Sequence, residues 1–156
     1  MGLDISYYRK LTLLPDVSTD SDGEVPDYNT QWTPGASMVW SEGEWPGRGA
    51  PLDPNAVYSF AEKGGFRAGS YGGYGAWRRQ LAGYSDGVDF MELVIFADNE
   101  GVIGPVVAAK LAGDFAKNEA RIEAATAGDD GWFMARYREW RAAFEAAADD
   151  GAVDFH

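Results

Sequence analysis

The strongest constraint on this chain's fold lies in its carboxy-terminal third, where two apolar stripes recur at helical spacing. In VIGPVVAAKLAGDFAKNEARIEAAT (102–126), Val107, Leu111, Phe115 and Ile122 fall on one side of a helix. Pro105 suits its first position, where a missing N–H costs nothing. In DDGWFMARYREWRAAFEAAADDG (129–151), Phe133, Tyr137, Trp140 and Phe144 do the same at steps of four, three and four. Arg136, Arg138 and Arg141 lie off that stripe, with Glu139 and Glu145 in reach for pairing. Two helices with one wet side each need an apolar surface to cover, and the chain before them supplies strand patterns.

Leu3, Ile5 and Tyr7 alternate with Asp4, Ser6 and Tyr8, which predicts a strand with one buried face. QWTPGASMVW (31–40) reads as ending in a short strand, AVYSF (56–60) as another, and MELVIF (91–96) as a strong one. Strands first and long helices last predict an α+β domain: a small mixed or antiparallel sheet with the two C-terminal helices packed on one face. At 156 residues one domain over 1–156 is expected, with residues 152–156 frayed beyond the stop at Asp149-Asp150-Gly151.

Residues 16–30 carry Asp16, Asp20, Asp22, Glu24 and Asp27 among Ser, Gly and Pro, and read as an exposed acidic loop without the EF-hand pattern. Between Leu11 and Gly47 acids occur without a single base. With a formal charge of -12 the chain is a poor partner for duplex nucleic acid, whose phosphates need clustered Lys and Arg. The lack of cysteine excludes disulfides, thiolate metal sites and cysteine nucleophiles, and a reducing cytoplasm is the default expectation. No apolar run approaches the ~20 residues that span a bilayer, so no membrane partner is expected.

Against that acidity, residues 63–85 (KGGFRAGSYGGYGAWRRQLAGYS) hold Lys63, Arg67, Arg78 and Arg79 and no acid. Phe66, Tyr71, Tyr74, Trp77 and Tyr84 are interleaved with glycines there. Glycine admits close approach, aromatic faces stack on planar rings, and arginine pairs with phosphate or carboxylate. Together they point to a small, flat, anionic ligand such as a nucleotide. Ser70 can cap a helix to about Ala82, on which Tyr74, Trp77, Leu81 and Tyr84 share a face; Trp77 and Leu81 are expected in the core. The ligand set read from this stretch is Arg67, Ser70, Tyr71, Tyr74 and Arg78. Asn99, Gly101 and Gly104 join it from the turn ADNEG and the helix start that follows, where free N–H groups attract anions.

Asp98 and Glu100 are the candidates for a divalent metal; otherwise neither metal nor cofactor is expected. The turn is neither a dinucleotide fingerprint nor a P-loop. The lone histidine, His156, is the last residue, where nothing in the sequence holds it in register, so a Ser-His-Asp site is not expected.

MGLDISYYRKL, FRAGSYGGYGAWRRQLA and FMELVIFADNEGVIGPVVAAKLAGDFA together resemble an uncharacterised family of small phage and prophage proteins. The resemblance brings a setting and no residue roles: such accessory proteins often counter host defence. They do so by sequestering a nucleotide signal or by blocking a defence protein. With no evident nucleophile or base in the sequence, the first expectation is a non-enzymatic protein that binds and sequesters a nucleotide-like signal in the host cytoplasm, as a single chain or a homo-oligomer. The alternatives are an acidic inhibitor that docks on a host defence protein, or a carboxylate- and metal-dependent nucleotide-processing enzyme.

Overall fold

The computed structural model describes residues 2–156. Strands β1 (Gly2–Arg9) and β2 (Thr12–Leu13) come first, then β3 (Gln31–Trp32), helix α1 (Gly35–Glu44) and β4 (Tyr58–Ser59). Next are β5 (Glu62–Ser70), α2 (Tyr71–Tyr84), the one-turn α3 (Met91–Val94) and β6 (Gly101–Ile103). The two long helices, α4 (Pro105–Ala125) and α5 (Trp132–Ala147), lead to a final strand, β7 (Ala152–Phe155). The fold is α+β with antiparallel pairing throughout. One sheet has the order β5-β1-β7-β6 and a smaller one β2-β4-β3. No helix among the described residues is long and apolar enough to cross a membrane.

Alternation along β1 decides the layers. Leu3 and Ile5 face α2, α4 and α5 in the main core, joined from the sheet by Ala68, Ile103, Val153 and Phe155. The helical stripes arrive as expected: Leu111, Phe115, Ile122, Phe133, Tyr137, Trp140 and Phe144 are all buried, while Val107 is half-buried at the margin. Tyr8 points the other way and closes a second, smaller core with Trp32, Met38, Tyr58, Val102 and Ala152. Between these cores Asp4, Ser6, Asp154 and Arg67 leave part of the sheet's outer face polar.

Three readings of the sequence are corrected. MELVIF is no strand: Phe90 takes φ 67, and one helical turn follows with Leu93 buried and Ile95 half exposed. Asp114 accepts the Phe90 N–H at 3.0 Å and so holds that unusual conformation. The end of QWTPGASMVW is helix α1, with Met38 and Ser41 inward at a spacing of three. Residues 152–156 are not frayed, because β7 is a central strand paired with β1 on one side and β6 on the other. Gly151 makes the entry possible, since a Cβ there would lie 1.8 Å from the Tyr8 carbonyl oxygen.

Candidate functional site

Strand β5 runs directly into α2, and the join sets the site. Ser70 Oγ accepts the Gly73 N–H at 2.9 Å, so Ser70 is a helix cap. The inner stripe of α2 enters the core. Tyr74, Trp77 and Leu81 are buried, and Trp77 stacks at 5.4 Å on Phe133 and 5.9 Å on Trp140. Tyr74 therefore leaves the ligand set, because it is 0% exposed. Its hydroxyl is buried without a hydrogen-bond partner among the described residues, and burial raises its pKa.

The outer face of α2 is different. Tyr71, Gly72, Gly75, Arg78 and Arg79 line a cleft of about 400 Å³ whose far wall includes Val94 and Asp98. Tyr71 is 41% exposed, and nothing stands within 4 Å of where a Gly72 Cβ would be. Arg78 is largely committed: Nη1 donates to the Phe96 carbonyl at 2.5 Å, Nη2 lies 4.0 Å from Asp98, and the guanidinium sits over the Tyr74 ring at 5.2 Å. Arg79 is exposed and makes no ion pair among the described residues, which leaves it as the free cation. The sequence reading had not selected it over Arg78. The signal was present, because Arg79 is four residues from Gly75, one turn along an outward face.

Tyr71 also borders a second hollow of about 460 Å³, shared with Asn99, Glu100, Asp154 and His156. The fold thus brings Tyr71 to Arg78 on one side and to Asn99 on the other. It does not bring Arg67, which lies on β5 in a two-pronged pair with Asp4, 3.0 Å to each oxygen. Gly101 and Gly104 are corrected as ligand contacts. Gly101 is buried against Phe96 and Ser41, and a Cβ on Gly104 would lie 2.4 Å from the Gly49 carbonyl oxygen. The Gly104 N–H donates to the Arg48 carbonyl, so neighbouring backbone, rather than a ligand, fills the space both glycines leave. Asp98 and Glu100 line different hollows, and among the described residues no three His, Cys, Asp or Glu side chains gather as a metal site.

His156 is held in register after all. Its backbone exchanges two hydrogen bonds with Asp4, at 2.8 and 3.0 Å, and Nε2 lies 2.9 Å from Ser6 Oγ. Asp154 is opposite Ser6 across the β1–β7 pair, but its Oδ2 accepts from Trp32 Nε1 at 3.0 Å. Among the described residues no hydrogen bond joins it to His156, so a three-membered relay is not assembled. Burial pushes the Asp154 carboxyl up to about 6 against the opposing pull of the Trp32 bond and the His156 and Lys63 charges.

On the other side of α2, Asp89 takes hydrogen bonds from Asn118 and Lys117, both at 3.0 Å, which hold its carboxyl below the usual range. This network fastens residues 86–90 to α4 and reads as structural. No family model matches the chain, and comparison with curated proteins and with solved structures likewise finds no match.

Proposed function

We propose that this chain binds a small, planar, anionic ligand of nucleotide type in the cleft beside Tyr71 and retains it without turning it over. The observation that carries the reading is Arg79, an exposed cation without a carboxylate partner among the described residues, beside the exposed ring of Tyr71 and the bare backbone of Gly72 and Gly75. In this reading Tyr71 stacks on the base and Arg79 pairs with phosphate, assisted by whatever donor capacity Arg78 retains. Asn99 lies across the Tyr71 ridge in the neighbouring hollow and is not part of this contact set. Retention is favoured over turnover because Asp98, the carboxylate lining the cleft, stands beside Arg78. The resemblance to small phage proteins supports a setting in which the ligand is a defence signal and the protein its sponge, as a single chain or a homo-oligomer.

The test is a thermal-shift screen against cyclic dinucleotides, cyclic trinucleotides, ADP-ribose derivatives and NAD, with the mass of the complex measured alongside. A ligand that binds only the native state stabilises it by ~2.7 kcal/mol at a hundredfold excess over its dissociation constant. Arg79→Glu is expected to abolish the shift and Arg67→Ala to leave it intact, with ligand recovered unchanged after denaturation. Altered ligand would instead make the protein an enzyme. A panel without any shift would overturn the reading and favour a second one. In that second reading the acidic loop docks on a basic surface of a host defence protein. The observation favouring it is that Asp16, Asp22 and Glu24 are exposed and form no ion pairs among the described residues. Neutralising Asp16 through Asp27 would then remove activity.

A further inference from the structure

A third hollow, of about 310 Å³, lies where the polar face of the main sheet meets the small one. Its rings are Tyr8, Tyr28 and Trp32, and its carboxylates are Glu24 and Asp154. Tyr8 and Trp32 stack with centroids 4.8 Å apart, while Tyr28, on the acidic loop, is 70% exposed. One cation is already in place. Lys63 Nζ sits 5.6 Å from the Tyr8 ring centroid and 5.4 Å from that of Tyr28. It makes no ion pair among the described residues, and two aromatic faces receive the ammonium.

That arrangement identifies a ligand chemistry. Ring faces attract a diffuse positive charge, and they favour one that is weakly hydrated, because less water must be stripped from it. An ammonium on a flexible four-carbon stem is strongly hydrated and so a modest guest; a methylated ammonium of equal charge is a better one. Lys63 is exposed on β5, an edge strand, so its side chain can swing into solvent without disturbing the sheet. Glu24, Asp154 and the acidic surface around them draw cations toward the hollow. We infer that this hollow is an aromatic cage for a methylated ammonium group, with Lys63 as an internal occupant that the ligand displaces. The site is separate from the Tyr71 cleft and selects the opposite charge.

The experiment is an NMR titration of the whole chain with tetramethylammonium chloride, against sodium chloride at matched ionic strength. Saturable shifts are expected at Tyr8, Tyr28 and Trp32. Lys63→Gln removes the internal competitor and is expected to tighten binding about tenfold, since the open cage is then always available. Tyr28→Ala removes an exposed wall and is expected to weaken binding at least about tenfold. Comparing choline with a peptide bearing trimethyllysine then distinguishes a free amine from a modified side chain as the source. No saturable shift in either wild type or Lys63→Gln overturns the cage. Binding indifferent to Tyr28→Ala overturns it too, and equal affinity in wild type and Lys63→Gln overturns the displacement.

Discussion

Asp154→Asn is expected to stabilise this protein above neutral pH and to do nothing near pH 3.5. The carboxyl is raised from its ordinary 3.8 to about 6, chiefly by burial. At 1.36 kcal/mol per pH unit, ionising it in the fold costs about 3 kcal/mol relative to the unfolded chain. Asp154 is only partly buried, and solvent screening reduces the expected figure to about 1–2 kcal/mol. The sign follows from which state holds the proton more tightly. With the folded value raised, the favourable contribution is complete below about pH 4 and is lost as pH rises through about 6. Asparagine carries no charge to desolvate and keeps an oxygen for the Trp32 Nε1 bond. Urea melts of both proteins from pH 3.5 to 8 should give a stability gap that opens across this window and levels off above pH 7. In thermal melts at a plateau pH the melting point should differ by about 2–8 °C. A gap that is flat with pH, or a wild type more stable than the variant at pH 8, would refute the account of Asp154 as a desolvated acid.

Two further outcomes separate competing readings of the fold. Tyr74→Phe removes a buried hydroxyl without a partner and should gain about 1 kcal/mol, whereas Tyr137→Phe loses the bond to the Phe115 carbonyl at 2.6 Å and should cost about 1 kcal/mol; paired urea melts check both. Deleting residues 152–156 takes out Val153 and Phe155, both 0% exposed, and should cost on the order of 5 kcal/mol, seen as a collapsed or lost thermal transition, while a frayed tail would be removed at no cost.

What could be read from the sequence was whatever depends on neighbours in the chain. Helices α2, α4 and α5 announce themselves because their apolar residues recur every three or four positions over several turns. MELVIF misleads because a short apolar run fits a strand or a buried turn equally well, and only the left-handed Phe90, held from α4 by Asp114, decides between them. β7 is four residues long, and its partner β1 lies some 150 residues earlier, so no local pattern could reveal it. The candidate site divides in the same way. Tyr71 and Arg78 come together because one helix carries both, and the core role of Trp77 follows from its stripe. Arg67 parts from them because β5 is extended and turns that side chain toward Asp4. Gly101 and Gly104 looked open only because the packing of Phe96, Ser41 and residues 48–50 against them is non-local.

The central placement of β7 also bears on how the chain is made. β1 leaves the ribosome some 150 residues before β7, yet they are neighbours in the finished sheet. Throughout synthesis β1 can pair with β5 alone, and its other edge stays bare while α4 and α5 are still being added. Closing so long a loop is slow, and an unpaired edge invites strands from other chains in the meantime. Until β7 arrives, the apolar faces of α4 and α5 also lack the Val153 and Phe155 side of their seat. A chain interrupted before β7 emerges would therefore present a sticky, unfinished sheet.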